Sequence, residues 1–98
     1  MELNKLFEDI KVKQWIGDKN VTISDIAADS RKVQKNSLFI AVRGVNIDGH
    51  QFIRQVVEAG ASVVVCEEAP ENQPKNVLFV VVENSAIALG QLASNWYG

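Results

Sequence analysis

The sequence predicts an α/β fold, a single small domain in which a mixed or parallel sheet is flanked by helices. Three observations carry this reading. SLFIAV at 37–42, ASVVVCE at 61–67 and VLFVVV at 77–82 are nearly continuous apolar runs rich in β-branched residues, the pattern of strands covered on both faces. Apolar residues elsewhere recur at helical spacing. A length of 98 residues suits one domain with one core.

Taken in order, Leu3, Leu6, Phe7 and Ile10 fall on one helical face and predict a short first helix. The turn-rich cluster Gly17-Asp18-Lys19-Asn20 follows, and then VTISDIAADS, where Val21, Ile23 and Ile26 suggest a partly buried strand. The run at 37–42 belongs in the middle of a sheet. Beyond a glycine-bounded loop, Phe52, Ile53, Val56 and Val57 predict a helix over 50–59, stopped by Gly60. Asp48 is placed to cap that helix, with Gln51 completing a variant of the capping box. After the second run comes a polar loop, PENQPKN, that holds both prolines, then the third run. The last helix starts at Asn84-Ser85 as candidate caps and carries Leu89, Leu92, Ala93 and Trp96 on one face.

Composition narrows the function classes. With 47% hydrophobic and 22% charged residues the chain is neither disordered nor membrane-spanning by composition. Its longest apolar run is far short of the ~20 residues that cross a bilayer. The N-terminus lacks the apolar core of a secretory signal, so a cytoplasmic location without membrane insertion is expected. A net charge of −2 argues against nucleic acid as a partner. The single cysteine, Cys66, lies in an apolar run and reads as a packing residue.

Residues 44–51 have the glycine spacing of a P-loop and sit between a strand and a helix, but His50 and Gln51 stand where that motif needs Lys and Ser or Thr. The loop should therefore not hydrolyse ATP by itself. Two readings of its backbone stand on these residues: amides at a helix start that suit an anion, or a plain connection already capped by Asp48. His50 has no Cys or carboxylate at metal-ligand spacing and reads as a first-turn residue. Glu67, Glu68 and Glu71 read as solvent-exposed acids that aid solubility. Ser30, between Asp29 and Arg31, can bond a ligand or its own turn.

DSRKV at 29–33, SLFIAVRG at 37–44, DGHQFI at 48–53 and AGASVVV at 59–65, in this order and spacing, resemble the N-terminal domain of the Mur ligases. These are ATP-dependent enzymes that build the peptidoglycan stem peptide. The resemblance covers the whole chain. It is nearest to the type that adds the third residue to UDP-N-acetylmuramoyl-L-alanyl-D-glutamate, with the D-alanyl-D-alanine-adding type as the alternative. It implies that residues 1–98 are the UDP-substrate-binding part of a longer, three-domain ligase and are inactive alone. It also implies that ATP and Mg²⁺ are handled outside this chain, and that the partners are UDP-N-acetylmuramoyl-dipeptide and the enzyme's own central and C-terminal domains.

Carried over by position, the resemblance makes Ser30 a contact of the uridine and Ala28 a lining residue of the same pocket. Val45, Asn46 and Ile47 form the loop that reaches the nucleotide, through backbone amides more safely than through the Asn46 side chain. Arg31 and Arg43 stand either near the diphosphate or in structural ion pairs. No catalytic residue and no metal ligand is assigned. A reading from another class is a stand-alone α/β interaction module, in which the loop is only a connection.

Overall fold

The computed structural model describes residues 2–98. Its sheet has five strands in the order β1-β5-β4-β3-β2: β1 (Val12–Ile16), β2 (Asp25–Ala27), β3 (Ser37–Ile40), β4 (Val63–Cys66) and β5 (Leu78–Val82). Strands β2 to β5 run parallel to their neighbours, and β1 closes the edge antiparallel to β5. The expected mixed sheet is therefore present, with the three apolar runs as its interior.

Period-two alternation sends successive side chains of those runs to opposite faces. Leu38, Ile40, Val63, Val65, Leu78 and Val80 face one layer, where Leu6 and Phe7 pack beside Ala88 and Leu92 of α3 (Ser85–Tyr97). Phe39, Val64 and Phe79 face the other, covered by Ile53 and Val56 of α2 (Ile53–Glu58). Cys66 packs in this second layer, and burial pushes its thiol up to about 11, so it is an inert filler. Full burial of each such aliphatic or aromatic side chain contributes roughly 1.5–3 kcal/mol.

Several elements differ from expectation, each for a local reason. The first helix, α1, is a single turn, Leu3–Leu6, because Asp9 takes a positive φ of 64° that bends the chain toward β1. Strand β1 was not legible as a strand. It is half exposed at a sheet edge and carries an irregularity between Val12 and Gln14, so its apolar residues do not alternate cleanly. Strand β2 keeps only Asp25–Ala27 of the expected segment.

The helix expected over 50–59 begins as a 3-10 turn, Gly49–Phe52, and becomes α-helical only at Ile53. Gly60 ends it as expected, at φ 109°, where a Cβ would also meet the Lys35 backbone at 2.9 Å. Asn84 caps α3 by accepting from the Ile87 amide at 3.0 Å.

Candidate functional site

Loops leave the carboxyl ends of β2 and β3 side by side, the edge of a parallel sheet at which α/β domains form clefts. A cleft of about 660 Å³ opens there, lined by Ala28, Ser30, Arg31, Val42, Ile47 and Phe52. Gly44 and Gly49 complete its wall. The structure thus brings together Ala28, Ser30, Arg31 and Ile47 of the expected residues. Val45, fully exposed, and Asn46 stand outside the lining at the loop's tip, and Arg43 faces the other side of the loop.

One wall is the turn Asp29-Ser30-Arg31. The Asp29 carboxylate accepts from the Arg31 amide at 3.0 Å and, bidentately, from its guanidinium at 3.0 and 2.9 Å. The guanidinium bonds, reinforced by the amide, hold the Asp29 carboxyl down at about 2. Ser30 is half-buried, and its hydroxyl bonds no group among the described residues. The turn therefore presents a free hydroxyl to the cleft.

The other wall is the loop at 43–49. Gly44 N–H donates to the Ile47 carbonyl at 3.0 Å and Gly49 N–H to the Val42 carbonyl at 2.8 Å, closing the loop on itself. A Cβ on Gly49 would lie 2.8 Å from the Val42 nitrogen and 3.1 Å from the Ala41 carbonyl carbon. Only glycine lets the helix start approach β3 this closely.

The Asp48 carboxylate accepts from the His50 amide at 2.9 Å and sits 2.6 Å from His50 Nδ1, which holds its own pKa down at about 2. This replaces the expected capping box: Gln51 only donates its backbone amide to the Asp48 carbonyl, at 3.2 Å. The amides at 49–51 are thus all engaged, which removes the anion-suited helix start. Those of Val45, Asn46, Ile47 and Asp48 donate to nothing among the described residues.

A polar network that sequence reasoning missed fastens the loop to the frame. Glu67, at the end of β4, accepts from both the amide and the hydroxyl of Ser85, each at 2.8 Å. The Ser85 hydroxyl in turn accepts from the Arg43 amide at 2.9 Å. The Glu67 amide donates to His50 Nε2 at 2.9 Å, so that ring carries its proton on Nδ1, toward Asp48.

Ser85 lowers the Glu67 carboxyl below the usual range, with help from Arg43. The expectation that Glu67 is a solvated acid is therefore corrected: the strand end and the helix start capture it, while Glu68 does stay exposed. The Arg43 guanidinium lies 3.2 Å from Asp48, 3.3 Å from Glu67 and 3.8 Å from Glu68. Ser85 lies 42 residues from Arg43, so no local pattern signals the pair.

Electrostatically, both arginines beside the cleft are already matched by carboxylates, and Val42, Ile47 and Phe52 give it apolar walls. Such a site suits a flat, uncharged group with hydroxyls better than a phosphate. The loop does not fit Mg²⁺-bound ATP either, since the imidazole standing at the P-loop lysine's place is fixed between Asp48 and Glu67.

Fold and cleft together define an α/β domain with a candidate ligand cleft at the carboxyl edge of a parallel sheet. A family model described as Mur ligase family, catalytic domain, matches residues 22–97. The chain is 46% identical, over all of its length, to UDP-N-acetylmuramoyl-L-alanyl-D-glutamate--2,6-diaminopimelate ligase of Parabacteroides distasonis, and 45% identical to the protein of the same name from Cytophaga hutchinsonii. Among solved structures, a crystal structure of MurF from Acinetobacter baumannii superposes with a TM-score of 0.78 at 29% identity, covering 94% of this chain and 20% of that one. MurF ligase from Thermotoga maritima, solved in complex with ADP, superposes with a TM-score of 0.60 at 30% identity over 70% of this chain and 16% of that one. The chain belongs to the Mur ligase family. It spans about a fifth of the length of the curated relatives it matches.

Proposed function

We propose that residues 1–98 are the N-terminal domain of a ligase that adds the third stem-peptide residue to UDP-N-acetylmuramoyl-L-alanyl-D-glutamate, and that the domain holds the uridine end of that substrate. The relatives named above are diaminopimelate ligases at 45–46% identity, whereas the MurF neighbours are similar at 29–30%, which favours the third-residue reaction over D-alanyl-D-alanine addition. The observation that carries the binding role is the half-buried Ser30 hydroxyl, without a hydrogen-bond partner among the described residues, in the lining of a cleft whose opposite wall includes Ile47, with the unengaged amides of Val45, Asn46 and Asp48 in the loop beside it.

In this reading the uracil lies between the apolar walls, Ser30 and the loop amides bond its polar edge, and Ala28 leaves room beside them. Arg31 and Arg43 shape the walls through their carboxylate pairs. ATP, Mg²⁺ and the incoming amino acid are bound by central and C-terminal domains, and the whole enzyme works in the cytoplasm. The 98-residue chain alone binds and does not catalyse.

The test is the full-length enzyme assayed for diaminopimelate-dependent and D-alanyl-D-alanine-dependent ligation. Activity with diaminopimelate or another single amino acid on the dipeptide substrate is expected. Activity only with D-alanyl-D-alanine on a tripeptide substrate contradicts the reading.

A further inference from the structure

We propose that Ser85 and Glu67, which lie outside the cleft lining, are positioning residues for nucleotide binding: they hold the base of the loop at 43–49 and so set where its tip stands opposite Ser30. The proposal rests on the reading that this cleft takes the uridine end of the substrate.

The loop is a short hairpin pinned at its base. Arg43 and Asp48 pair across it as an antiparallel bridge, and the bond from Gly44 N–H to the Ile47 carbonyl closes the turn between them. Val45 at the tip is fully exposed, and the backbone at 44–47 bonds nothing outside the loop among the described residues. The tip therefore goes where the base puts it.

Two residues gather the bonds that fix this base to the rest of the fold. At its start, the Arg43 amide donates to the Ser85 hydroxyl at 2.9 Å and the Arg43 guanidinium lies 3.3 Å from Glu67. At its end, the His50 ring joins Asp48 to the Glu67 amide, at 2.6 and 2.9 Å. Ser85 and Glu67 are themselves joined twice, by amide and hydroxyl, each at 2.8 Å.

The helix gives no reason for this hydroxyl. Asn84 already caps α3 by accepting from the Ile87 amide. Yet Ser85 is fully buried, a setting in which a hydroxyl costs stability unless its bonds are made. Alanine would suit the helix better, but it could not receive the Arg43 amide. Without that bond the base can open, and apparent Kd is the intrinsic Kd divided by the fraction of chains whose loop is competent to bind. Binding then weakens although no group that touches the ligand has been removed.

The experiment titrates UDP into the 98-residue chain, which carries both layers of its core, as Ser85→Ala and, for comparison, as Ser62→Ala. Ser62 precedes β4, at the opposite end of that strand from Glu67; it is also buried, and its hydroxyl donates to the Thr22 carbonyl at 2.7 Å. Each change thus deletes one buried hydroxyl, and each should lower Tm by a few degrees. The Kd for UDP should rise about 3- to 10-fold in Ser85→Ala, the equivalent of one hydrogen bond, and stay unchanged in Ser62→Ala. An unchanged Kd in Ser85→Ala, or a like rise in both variants, would overturn the proposal and leave the network a purely structural one.

A second measurement needs no variant to fold. The amides of Arg43, Glu67 and Ser85 each donate to a side chain of the network, so by reciprocity of linked equilibria saturating UDP should slow their hydrogen exchange severalfold. Unaltered exchange at these three amides in UDP-saturated chain would overturn the proposal too. If the unsubstituted chain fails to bind UDP, the uridine reading falls and this proposal with it; binding that is indifferent to Ser85→Ala sinks this proposal alone.

Discussion

Asp29-Ser30-Arg31 and Asp48-Gly49-His50 are built on one plan with different outcomes. In each, an aspartate accepts from the amide and from the side chain of the residue two positions on, and each aspartate is held down at about 2. The first turn stands alone: the Arg31 side chain is 85% exposed and, among the described residues, bonds only Asp29, and the middle residue lines the cleft with a hydroxyl that bonds none of them. The second is tied onward through His50 to the Glu67 amide, and its middle residue must be glycine. The same Asx-type turn thus in one place leaves a hydroxyl at a cleft and in the other fastens a loop.

Several substitutions sharpen this contrast. Gly49→Ala should cost most, about 1–3 kcal/mol, because its methyl overlaps the backbone of residues 41 and 42. Urea or thermal unfolding reads it, and an unchanged midpoint would mean the loop is not fixed against β3. His50→Ala should come next, at about 1–2 kcal/mol, since it strips the Glu67 amide of its acceptor. Stability measurements together with amide exchange at Glu67 would show it.

Ser30→Ala should leave stability unaltered and raise the substrate KM about 3- to 10-fold with kcat little changed, the loss of one hydrogen bond made equally in ground and transition states. Equal loss of kcat and kcat/KM would assign Ser30 another role. Arg31→Ala, at an exposed pair, should shift the unfolding midpoint by less than Gly49→Ala or His50→Ala does.

Acid titration probes both turns together. Asp29 and Asp48 are depressed from 3.8 to about 2, so their stabilisation is present above about pH 4 and is lost as pH falls through about 2. Asp48→Asn keeps an acceptor for the His50 amide but cannot titrate. It should flatten part of the acid limb of a stability–pH curve.

Much of the frame could be read from residue order because its signals are local. The three apolar runs become β3, β4 and β5, Gly60 ends α2, and Asn84 caps α3. Strand β1 escaped because an edge strand with one exposed face and an irregular register lacks a clean period. Although Val45 and Asn46, expected with them, lie outside it, the cleft-lining Ala28, Ser30, Arg31 and Ile47 were legible through family resemblance. Glu67 and Ser85 were not, since an acid at a strand end looks solvated until the helix start 18 residues away is folded against it.

The most direct test of the central claim is an NMR titration of the 98-residue chain with UDP. The account predicts shifts concentrated at Ser30 and at the amides of Val45 to Asp48, absent or much weaker in Ser30→Ala, with β1 and the Arg54–Glu58 surface unmoved. No shifts at millimolar UDP, or shifts centred away from the Asp29 and Asp48 turns, would contradict it.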